Sequence, residues 1–342
     1  MGLHRRGEQS FGESAQARGL QSGRDHLLEE ISETISAAGP GNKSYENMNT
    51  SVVIPTLNEK DNLEKLLPQL RVFGKADCGR RPLSYIESGM YEVLVCDNGS
   101  DDGTVEVARG MGATVLGAMD GEGRTVGHAV LRGIGAARFE RIVVMDGDLS
   151  HPVSVVWRIA MGLAGKEMVI GSRYKDRGSN GDRFANRVMS RAGNILAIGL
   201  APKVGDRMSG VWGMTAGVRD RAIGVRPTAK PMLEYLVRGK PRDVEEIGYV
   251  FEPRKVGKSK IGRKGVLGKS LKDLGHLYRA RFGRLAKFCV VGGSGVVINY
   301  TVTIGLTELV GMWYGFSLLV AIGLAAAWNF TLNDKWTWRD RN

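Results

Sequence analysis

Hydrophobic and polar positions alternate along the middle of the chain in blocks that are typical of strands and helices in turn. Short β-branched or aliphatic runs predict strands at Ser51–Ile54, Tyr91–Cys96, Thr114–Leu116, Arg141–Met145 and Glu167–Ile170. Apolar residues at helical spacing predict helices at Asp61–Leu70, Gly103–Gly110, Gly127–Ala137 and Val153–Leu163. Strands that alternate with helices indicate an α/β domain with a mostly parallel sheet. In such sheets, ligands bind beyond the carboxyl ends of the strands.

Two long apolar stretches lie near the end of the chain. Phe288–Val310 contains one charge, Glu308, and Tyr314–Leu332 contains none. A helix of about 20 apolar residues crosses a hydrocarbon core about 30 Å thick. The stretches therefore predict a two-helix transmembrane hairpin over 288–338 that turns at Gly311–Trp313. The alternative is a pair of buried helices in a globular protein, which the basic flanks and the tryptophans near the ends disfavour.

Basic residues flank both outer ends of this predicted hairpin, at Arg279–Lys287 and Lys335–Arg341. Positively charged flanks are retained on the cytoplasmic side of a membrane. We therefore expect an integral membrane protein whose termini and α/β domain both face the cytoplasm.

Two further segments have an amphipathic helical pattern. Within 263–287, apolar residues recur at helical spacing and basic residues occupy the rest of the helix, which predicts a helix in the membrane interface. Arg183–Leu200 has a similar pattern, but a helix packed on its own domain would explain it equally well. Residues 1–47 are polar, lack the apolar core of a signal peptide and predict a disordered tail. The α/β domain is therefore expected over 48–262.

Composition adds the class of protein and the location of its excess charge. The 342 residues are 42% hydrophobic and 25% charged, as in ordinary globular proteins. The three cysteines form no CxxC pair, which argues against a disulfide scaffold and a cysteine-bound metal. Most of the net charge of +12 lies between Glu252 and Lys287, where twelve basic and two acidic residues occur. This window predicts a polyanionic partner, and the scarcity of stacking aromatics disfavours nucleic acid relative to phosphates or anionic lipid.

Two carboxylates, Asp146 and Asp148, follow a predicted strand directly, with Gly147 between them. Carboxylates this close repel each other unless a divalent cation or a proton intervenes. Mg²⁺ is bound in proteins by one or two carboxylates, together with water and substrate phosphate oxygens. The sequence therefore predicts a metal and diphosphate site here. A simple turn rich in Asp and Gly is the alternative, which the position at a strand end disfavours.

Polar residues also follow the first two predicted strands. Asp97 ends a buried strand and is expected to accept a hydrogen bond from a nucleobase N–H, whereas Asp102 and Thr104 are expected to form a turn and a helix start. Thr56–Glu59 lies on the same edge of the sheet, although Asn58 or Glu59 would also suit a helix cap.

Basic residues follow two later strands. Arg173 follows the fifth strand, and Arg254–Lys260 follows a late strand expected near Tyr249–Phe251. Arginine and lysine in such loops suit contact with phosphate. A solvated run of charge and attraction to anionic headgroups are the alternatives.

Together, five segments resemble the motifs of family 2 glycosyltransferases with the GT-A fold: Ser51–Glu59, Asp97–Thr104, Met145–Pro152, Gly171–Tyr174 and Arg254–Lys260. The third and fifth are similar to the dolichyl-phosphate mannose synthase branch. Phe288–Trp338 resembles the first half of a GtrA-like membrane domain, and it ends after two spans where many relatives have four. The resemblance implies a GT-A domain with a mostly parallel sheet, amphipathic interface helices and a transmembrane hairpin.

The resemblance also implies roles for the residues at matching positions. It places the nucleotide and its diphosphate at Pro55, Leu57, Glu59, Val95, Asp97, Asp146, Gly147, Asp148, Arg173, Arg254 and Lys260. It places a metal ion at Asp146, Asp148 and Ser150, and the catalytic role at Asp148, Arg173 and Arg254. Ser190 matches a position near the acceptor phosphate.

Three positions depart from the family pattern. Asn98 stands where many relatives have a second aspartate, and Val211–Trp212 replaces a usual Phe-Arg pair. Asn186 stands where the family has an arginine that contacts the acceptor phosphate. We expect Arg187, or alternatively Arg183, to take that role.

The implied activity is metal-dependent, inverting transfer of mannose from GDP-mannose to a polyprenyl (dolichyl) phosphate, with Mg²⁺ or Mn²⁺. The acceptor phosphate is anionic near neutral pH, so positioning and charge neutralisation are sufficient without a strong base. One alternative is a UDP-glucose-dependent polyprenyl-phosphate glucosyltransferase. Another is a non-catalytic membrane module for lipid-linked sugars, which the intact Asp146 and Asp148 disfavour.

The predicted hairpin also indicates an assembly. Its glycines leave small surfaces for close helix packing, and the second pair of spans found in many relatives is missing, which together predict a homodimer. Asn299 lies near the middle of the first span, where an amide usually needs a partner. We expect it to form a hydrogen bond to the second helix.

Overall fold

The structure is a computed structural model that describes residues 49–73, 91–175, 178–180, 184–251 and 266–338. The chain divides into two compact units between Ser270 and Leu271, and each is described by itself. The predicted tail over 1–47 and the predicted phosphate contacts Arg254 and Lys260 lie outside the described residues, as does Arg183.

A seven-stranded sheet forms the centre of the first unit, in the order β3-β2-β1-β4-β7-β5-β8. Its strands are β1 (Thr50–Thr56), β2 (Tyr91–Asp97), β3 (Thr114–Leu116), β4 (Arg141–Val144), β5 (Met168–Ser172), β7 (Trp212–Thr215) and β8 (Val244–Gly248). β7 runs antiparallel to both of its neighbours, and the remaining pairs are parallel. A separate parallel pair joins β6 (Ser179–Asn180) to β9 (Val250–Phe251). The predicted α/β fold with a mostly parallel sheet is confirmed.

Seven helices accompany these strands in the described part of the first unit. They are α1 (Lys60–Phe73), α2 (Thr104–Gly110), α3 (Val126–Ala136), α4 (Val153–Gly162), α5 (Phe184–Leu196), α6 (Ala216–Arg221) and α7 (Pro231–Arg238). The first four lie within a few residues of the predicted helices. The leucines that predicted α1 are all buried, and they join a core cluster with β1, β2 and α4. β1 and β2 are buried along their whole length, and their central residues form continuous apolar runs, 52–55 and 93–96.

Five elements of the first unit were absent from the sequence prediction: β6, β7, β8, α6 and α7. β7 contains only Trp-Gly-Met-Thr, and it is stabilised by pairing with β4 on one side and β5 on the other. β8 lies at the edge of the sheet and carries Glu245 and Glu246, so its sequence appears polar. Such strands form because of their partners in the sheet, and their own sequences lack the alternating or continuous apolar pattern that predicts a strand.

Two long helices, α8 (Val266–Ile304) and α9 (Tyr314–Leu332), form most of the second unit, and α8 begins five residues before its boundary. α9 has the predicted bounds. The predicted interface helix and the first predicted span are joined in α8 without an interruption. A π-helical turn, Gly305–Leu309, follows α8, and a second, Asn333–Thr337, follows α9. The chain reverses at Gly311, whose φ of 73° lies in the left-handed region that favours glycine.

Contacts between α8 and the segment from α9 onward define a hairpin. Trp328 Nε1 donates a hydrogen bond to Ser294 Oγ at 3.0 Å, and Lys287 Nζ donates to the carbonyl oxygen of Trp336 at 3.2 Å. Among the described residues, Ser294 rather than Asn299 thus accepts the side-chain hydrogen bond between the helices, contrary to our expectation. Leu271–Leu309 and Tyr314–Thr337 are each long and apolar enough to cross a membrane.

Candidate active site

The carboxyl ends of three parallel strands bring three of the predicted loops to one edge of the sheet. Thr56 at the end of β1 pairs with Asp97 at the end of β2, and Val53 of β1 pairs with Val144 of β4. Gly147, just beyond β4, lies against β1, where an added Cβ would be 3.1 Å from Ile54 Cγ2. The structure thus places the nucleotide-side and metal-side residues of the sequence prediction next to each other.

Asp97 is buried, and both of its carboxylate oxygens are used within its own region. Oδ1 accepts hydrogen bonds from Thr56 Oγ1, at 3.2 Å, and from the Ser100 hydroxyl. Oδ2 accepts from the backbone N–H groups of Gly99, at 2.8 Å, and Ser100, at 2.9 Å. These four bonds match the four acceptor sites of a carboxylate. A nucleobase N–H must therefore replace one of them to bind Asp97.

The loops after β1 and β2 are fastened to each other by further hydrogen bonds. Asn58 adopts a left-handed φ of 53°, and its Oδ1 accepts from the backbone N–H of Asp101 at 3.1 Å. Asp102 accepts from the backbone N–H groups of Lys60, at 3.1 Å, and Thr104, at 2.9 Å. Burial alone would raise the pKa of the Asp102 carboxyl, but the hydrogen bonds from Thr104 and Lys60 hold it below its ordinary value.

Glu59 lies at the start of α1. Its carbonyl oxygen accepts from the backbone N–H groups of Asn62 and Leu63, and its Oε2 accepts from Asn62 Nδ2 at 2.6 Å. Its own backbone N–H donates to Thr104 Oγ1 at 2.9 Å. These bonds agree with a role in starting the helix, the alternative that the sequence left open for Asn58 or Glu59.

Arg132 of α3 is a site component that no sequence motif indicated. Its Nη1 pairs with Glu122 at 2.7 Å, and its Nη2 donates to the carbonyl oxygen of Asp97 at 3.0 Å and to Asn98 Oδ1 at 3.3 Å. Asn98 also donates through Nδ2 to the carbonyl oxygen of Thr125 at 3.1 Å. The amide that replaces the family's second aspartate thus uses both its acceptor and its donor, which an ionised carboxylate could not do.

Asp146 and Asp148 differ in their exposure. The Asp146 side chain is 42% exposed, whereas Asp148 is 5% exposed and accepts from the backbone N–H of Ser150 at 3.1 Å. Leu149 between Asp148 and Ser150 adopts a φ of 61°, which is rare for a residue with a branched side chain. The turn at Leu149 thus separates a partly exposed carboxylate, Asp146, from a buried one, Asp148.

Gly210 lies against the turn that follows β4, and its lack of a side chain makes room for Asp146 and His151. An added Cβ there would lie 2.3 Å from Asp146 Oδ2 and 2.8 Å from His151 Nε2. A glycine at position 210 is therefore required by the close approach of these two side chains.

Buried polar atoms without hydrogen-bond partners surround the two carboxylates. Among the described residues, no partner is found for Ser150 Oγ or for either ring nitrogen of His151. The His151 ring packs between Tyr249 and Phe251, each with a centroid distance of 5.4 Å, and its Nε2 is 3.5 Å from Asp146 Oδ2. Buried polar groups without partners are costly, and native proteins contain few of them.

The donor set on this side suits a hard divalent cation. Asp146, Asp148 and Ser150 offer two carboxylates and a hydroxyl, which are oxygen ligands that Mg²⁺ and Mn²⁺ accept. Within the described ranges, no cluster of three or more His, Cys, Asp and Glu side chains could enclose a metal ion. An ion here would therefore take its remaining ligands from water and phosphate oxygens, and the unpartnered Ser150 Oγ fits a place beside it.

Arg173, at the end of β5, forms a two-bond ion pair with the buried Asp206. Its Nε and Nη2 lie 2.8 Å from Asp206 Oδ2 and Oδ1, respectively. Burial alone would lower the pKa of Arg173, but the Asp206 carboxylate raises it above its ordinary value. Nη2 also donates to Ser190 Oγ at 3.0 Å. The structure thus brings the predicted phosphate-binding arginine together with the predicted acceptor residue.

The loop 205–210 holds this ion pair in place. The backbone N–H groups of Gly205 and Asp206 each donate to the Glu246 carboxylate at 2.8 Å. Met208 in the same loop accepts a hydrogen bond from Lys230 Nζ at 3.0 Å. Asp206, Glu246 and Lys230 are distant from Arg173 in sequence, so no local pattern indicated their roles.

Helix α5 carries Ser190 and the predicted acceptor contact Arg187. Arg187 and Arg191 are exposed, and several apolar side chains of the same region are also exposed: Val188, Met189, Ile195, Leu196 and Ile198. A helix packed only on its own domain would bury such residues. The exposure therefore favours the membrane-interface interpretation of this segment.

The remaining predicted nucleotide contacts lie on the first two strands and the loop after β1. Pro55 is in β1, and Leu57 follows it, partly exposed. Val95 of β2 is fully buried within the core cluster, so a ligand can meet this position only through the backbone.

Two family profiles match the chain. "Glycosyl transferase family 2" matches residues 51–223, and "GtrA/DPMS, transmembrane domain" matches residues 287–342. The first covers the loops after β1, β2, β4 and β5, and the second covers the hairpin.

Named relatives agree with these profiles. A dolichol-phosphate mannosyltransferase of Pyrococcus furiosus is 30% identical over 86% of this chain and 82% of its own length. The enzyme of the same name from Mycosarcoma maydis is 31% identical over 71% of this chain and 85% of its own. The solved structure of glucosyl-3-phosphoglycerate synthase from Mycobacterium tuberculosis, with Mn²⁺ and UDP, superposes with a TM-score of 0.50 at 20% identity, covering 71% of this chain and 85% of that one. That likeness identifies the GT-A fold.

Proposed function

Because the chain belongs to glycosyl transferase family 2, we propose that it transfers mannose from GDP-mannose to a polyprenyl (dolichyl) phosphate. The family membership makes it a glycosyltransferase, and its membrane domain is of the GtrA/DPMS type. One observation carries the proposal: the two carboxylates beyond β4 share one edge of the sheet with the loops after β1 and β2. The names of the relatives at 30% and 31% identity support the choice of sugar and acceptor.

The proposed donor site lies at the ends of β1, β2 and β4. Pro55, Leu57, Glu59, Val95 and Asp97 would line the nucleotide, and Gly147 would allow the diphosphate to approach β1. Asp146, Asp148 and Ser150 would hold Mg²⁺ or Mn²⁺, which supplies charge neutralisation on the leaving diphosphate. The unpartnered Ser150 hydroxyl beside two carboxylates supports this assignment.

The proposed acceptor site centres on Arg173 and Ser190. Nε and Nη2 of Arg173 donate to Asp206 and Ser190, and among the described residues Nη1 has no hydrogen-bond partner and would donate to a phosphate oxygen. Arg187 on the exposed face of α5 would add a second cation, and Arg254 and Lys260 are proposed from the sequence alone. An oxygen of the lipid phosphate attacks the anomeric carbon as the bond from that carbon to the diphosphate oxygen breaks. GDP leaves with the bonding electrons, and the configuration at the anomeric carbon inverts.

The proposed membrane arrangement places the hairpin across the bilayer, with the catalytic unit and both termini in the cytoplasm. The bond between Lys287 and Trp336 keeps the start of the first span and the end of the second on one side. Large exposed apolar side chains cover the outer faces of both helices, among them Val297, Leu319 and Phe330. Part of this surface is proposed to meet a second copy of the chain and form a homodimer.

Membranes that contain the full chain provide the test. With labelled GDP-mannose, polyprenyl phosphate and Mg²⁺ or Mn²⁺, extraction should recover a labelled mannolipid, and EDTA should abolish it. UDP-glucose serves as the competing donor in a parallel reaction. A glucolipid in place of the mannolipid would assign the other sugar, and failure of both donors would contradict the proposed function. Crosslinking in the same membranes should give a dimer, and a strictly monomeric chain would contradict the proposed assembly.

A further inference from the structure

Lys230 lies directly before α7, outside every motif that indicated the active site. Its Nζ donates to the carbonyl oxygen of Met208 at 3.0 Å. Met208 belongs to the same short loop as Asp206, and Asp206 in turn holds Arg173. The ammonium group is therefore attached to the loop that orients the predicted phosphate-binding arginine.

The charges around Lys230 are those of the active site. Asp146 and Asp206 attract its ammonium group, Arg173 repels it, and burial lowers the pKa of Lys230 below its ordinary value. Among the described residues, no carboxylate forms an ion pair with Nζ. A lysine in such surroundings costs free energy unless an anion compensates it.

The hydrogen bonds of the two cations leave groups for a ligand. One N–H of the Lys230 ammonium is used on Met208, and an ammonium group has three. Among the described residues, Nη1 of Arg173 has no hydrogen-bond partner, since Asp206 and Ser190 accept from its other nitrogens. An arginine guanidinium binds phosphate through paired N–H groups, and a lysine ammonium binds it as a compact positive charge, so the two can contact one phosphate together. Lys230 is partly buried as a residue, and its ammonium group lies where burial lowers its pKa, so the two N–H groups not used on Met208 need a partner.

We infer that Lys230 binds a phosphate oxygen of the substrates, between Asp146 on the donor side and Arg173 on the acceptor side. The inference rests on the proposed function and adds a phosphate-binding residue to it. The ligand chemistry is a phosphate ester, supplied by the donor diphosphate or by the lipid monophosphate. In either case Lys230 would be a catalytic residue in direct contact with substrate.

Lys230→Gln is the informative change, because an amide can still donate to Met208 while the positive charge is lost. In the full-length protein in detergent, two quantities should be measured: the affinity for GDP with Mg²⁺, and the KM for polyprenyl phosphate. We expect at least a tenfold loss in one of them and recovery of most of it in Lys230→Arg. Lys203→Met is the matched control, since Lys203 is an exposed lysine of the same unit, and it should change neither quantity.

The two measurements distinguish the source of the phosphate. A loss of GDP affinity assigns Lys230 to the donor, and a raised KM assigns it to the acceptor. The melting temperature of ligand-free Lys230→Gln should be unchanged or higher, because the costly charge is gone. If neither quantity moves by more than twofold, or if Lys230→Arg fails to restore the loss, the inference is wrong. Should Lys230→Gln not fold, Lys230→Met carries the same test.

The outcomes also separate this inference from the proposed function. Equal mannolipid formation and equal GDP affinity in the wild type and Lys230→Gln would remove the inference and leave the proposed function standing. A wild-type protein that binds GDP but forms no mannolipid would remove the proposed function, and the inference would then be decided by GDP affinity alone. A wild type that binds no GDP would overturn both.

Discussion

The loops after β2 and β4 flank the same strand, β1, but their polar groups are satisfied in opposite ways. In the loop after β2, Asp97 and Asp102 accept hydrogen bonds from neighbouring hydroxyl and backbone N–H groups. In the loop after β4, the Ser150 hydroxyl and both ring nitrogens of His151 are buried without a described hydrogen bond, although His151 Nε2 lies 3.5 Å from Asp146 Oδ2. The carboxylates of the first loop have hydrogen bonds from within the protein. Buried polar atoms of the second loop lack hydrogen bonds that a ligand would supply.

This difference implies that the two loops contribute differently to stability and to activity. Removing a carboxylate from the first loop leaves several donors unsatisfied and should lower the free energy of unfolding. Removing the Ser150 hydroxyl from the second loop breaks no described hydrogen bond of the ligand-free protein and should mainly reduce activity. Functional sites commonly retain such groups at the expense of stability. The four substitutions below test this separation, from the largest expected effect to the smallest.

Asp148→Asn should have the largest effect, on activity alone. The amide oxygen can still accept from the backbone N–H of Ser150, so the turn should be retained. The negative charge for a metal ion is lost, and we expect at least about a 1000-fold loss of transfer, as for removal of a major electrostatic contribution. Mannolipid formation and metal-dependent GDP binding should be measured beside the melting temperature. Asp220→Asn, at an exposed position, is the control, and near-normal transfer by Asp148→Asn would refute the metal site.

Gly210→Ala should act through displacement of Asp146. The added Cβ would lie 2.3 Å from Asp146 Oδ2, so the carboxylate must move. A displacement of about 1 Å at a reacting site can reduce the rate about 100-fold, and we expect a loss of that size. The melting temperature should also fall, because the added Cβ would lie 2.8 Å from Nε2 of the buried His151 ring, which must shift as well. Gly165→Ala is the control, since nothing lies within 4 Å of its added Cβ. Equal activities of the two variants would contradict the packing described here.

Asp97→Ala should show the opposite pattern and mainly lower stability. It removes the acceptor for Thr56, Gly99 and Ser100, and buried donors without partners cost about 1–3 kcal/mol each. We expect the free energy of unfolding to fall by about 2–4 kcal/mol, measured by denaturant titration. Asp101→Ala changes an exposed carboxylate in the same loop and should have little effect. An equally stable Asp97→Ala protein would show that the loop is not held by this carboxylate.

Ser150→Ala should have the smallest effect. Its buried hydroxyl has no described partner, so stability should be unchanged or rise by up to about 1 kcal/mol. The Mg²⁺ concentration for half-maximal transfer should rise several-fold if the hydroxyl lies beside the ion. Ser209→Ala is the contrasting variant, because Ser209 Oγ donates to the carbonyl oxygen of Val211 at 3.0 Å, and its loss should lower stability. A marked loss of stability in Ser150→Ala would show that this hydroxyl stabilises the fold and would contradict its assignment to the metal site.

The parts of the fold that follow from local pattern were predictable from the sequence. The strand–helix alternation up to β5 and the bounds of α9 depend on runs and periodicities within single segments. β7 was not predictable, because its four residues depend on strands on either side. The continuity of α8 was also missed. Its basic half and its apolar half differ in composition, but helix formation does not require a break between them.

In the candidate site, the sequence indicated the residues at strand ends but not those that hold them. Asp146, Asp148, Arg173 and Ser190 lie in recognisable motifs. Arg132 reaches the Asp97 carbonyl across 35 positions, and Glu246 reaches the Asp206 backbone across 40. Such contacts arise from the tertiary fold, and one sequence contains no periodic signal for them.

The unbroken helix α8 sets a fixed rotational phase between the basic segment and the first membrane span. Successive residues of an α-helix are rotated by about 100°, since one turn takes about 3.6 residues. One residue inserted near Lys287 would therefore turn the amphipathic face of Leu271–Leu285 through about 100° about the helix axis, relative to Val291 and Gly295. Four inserted residues would nearly restore the phase and shift the basic segment along the axis by about 6 Å. In this chain, the length of α8 thus fixes both the axial distance and the direction of its positive charges relative to the first candidate membrane span.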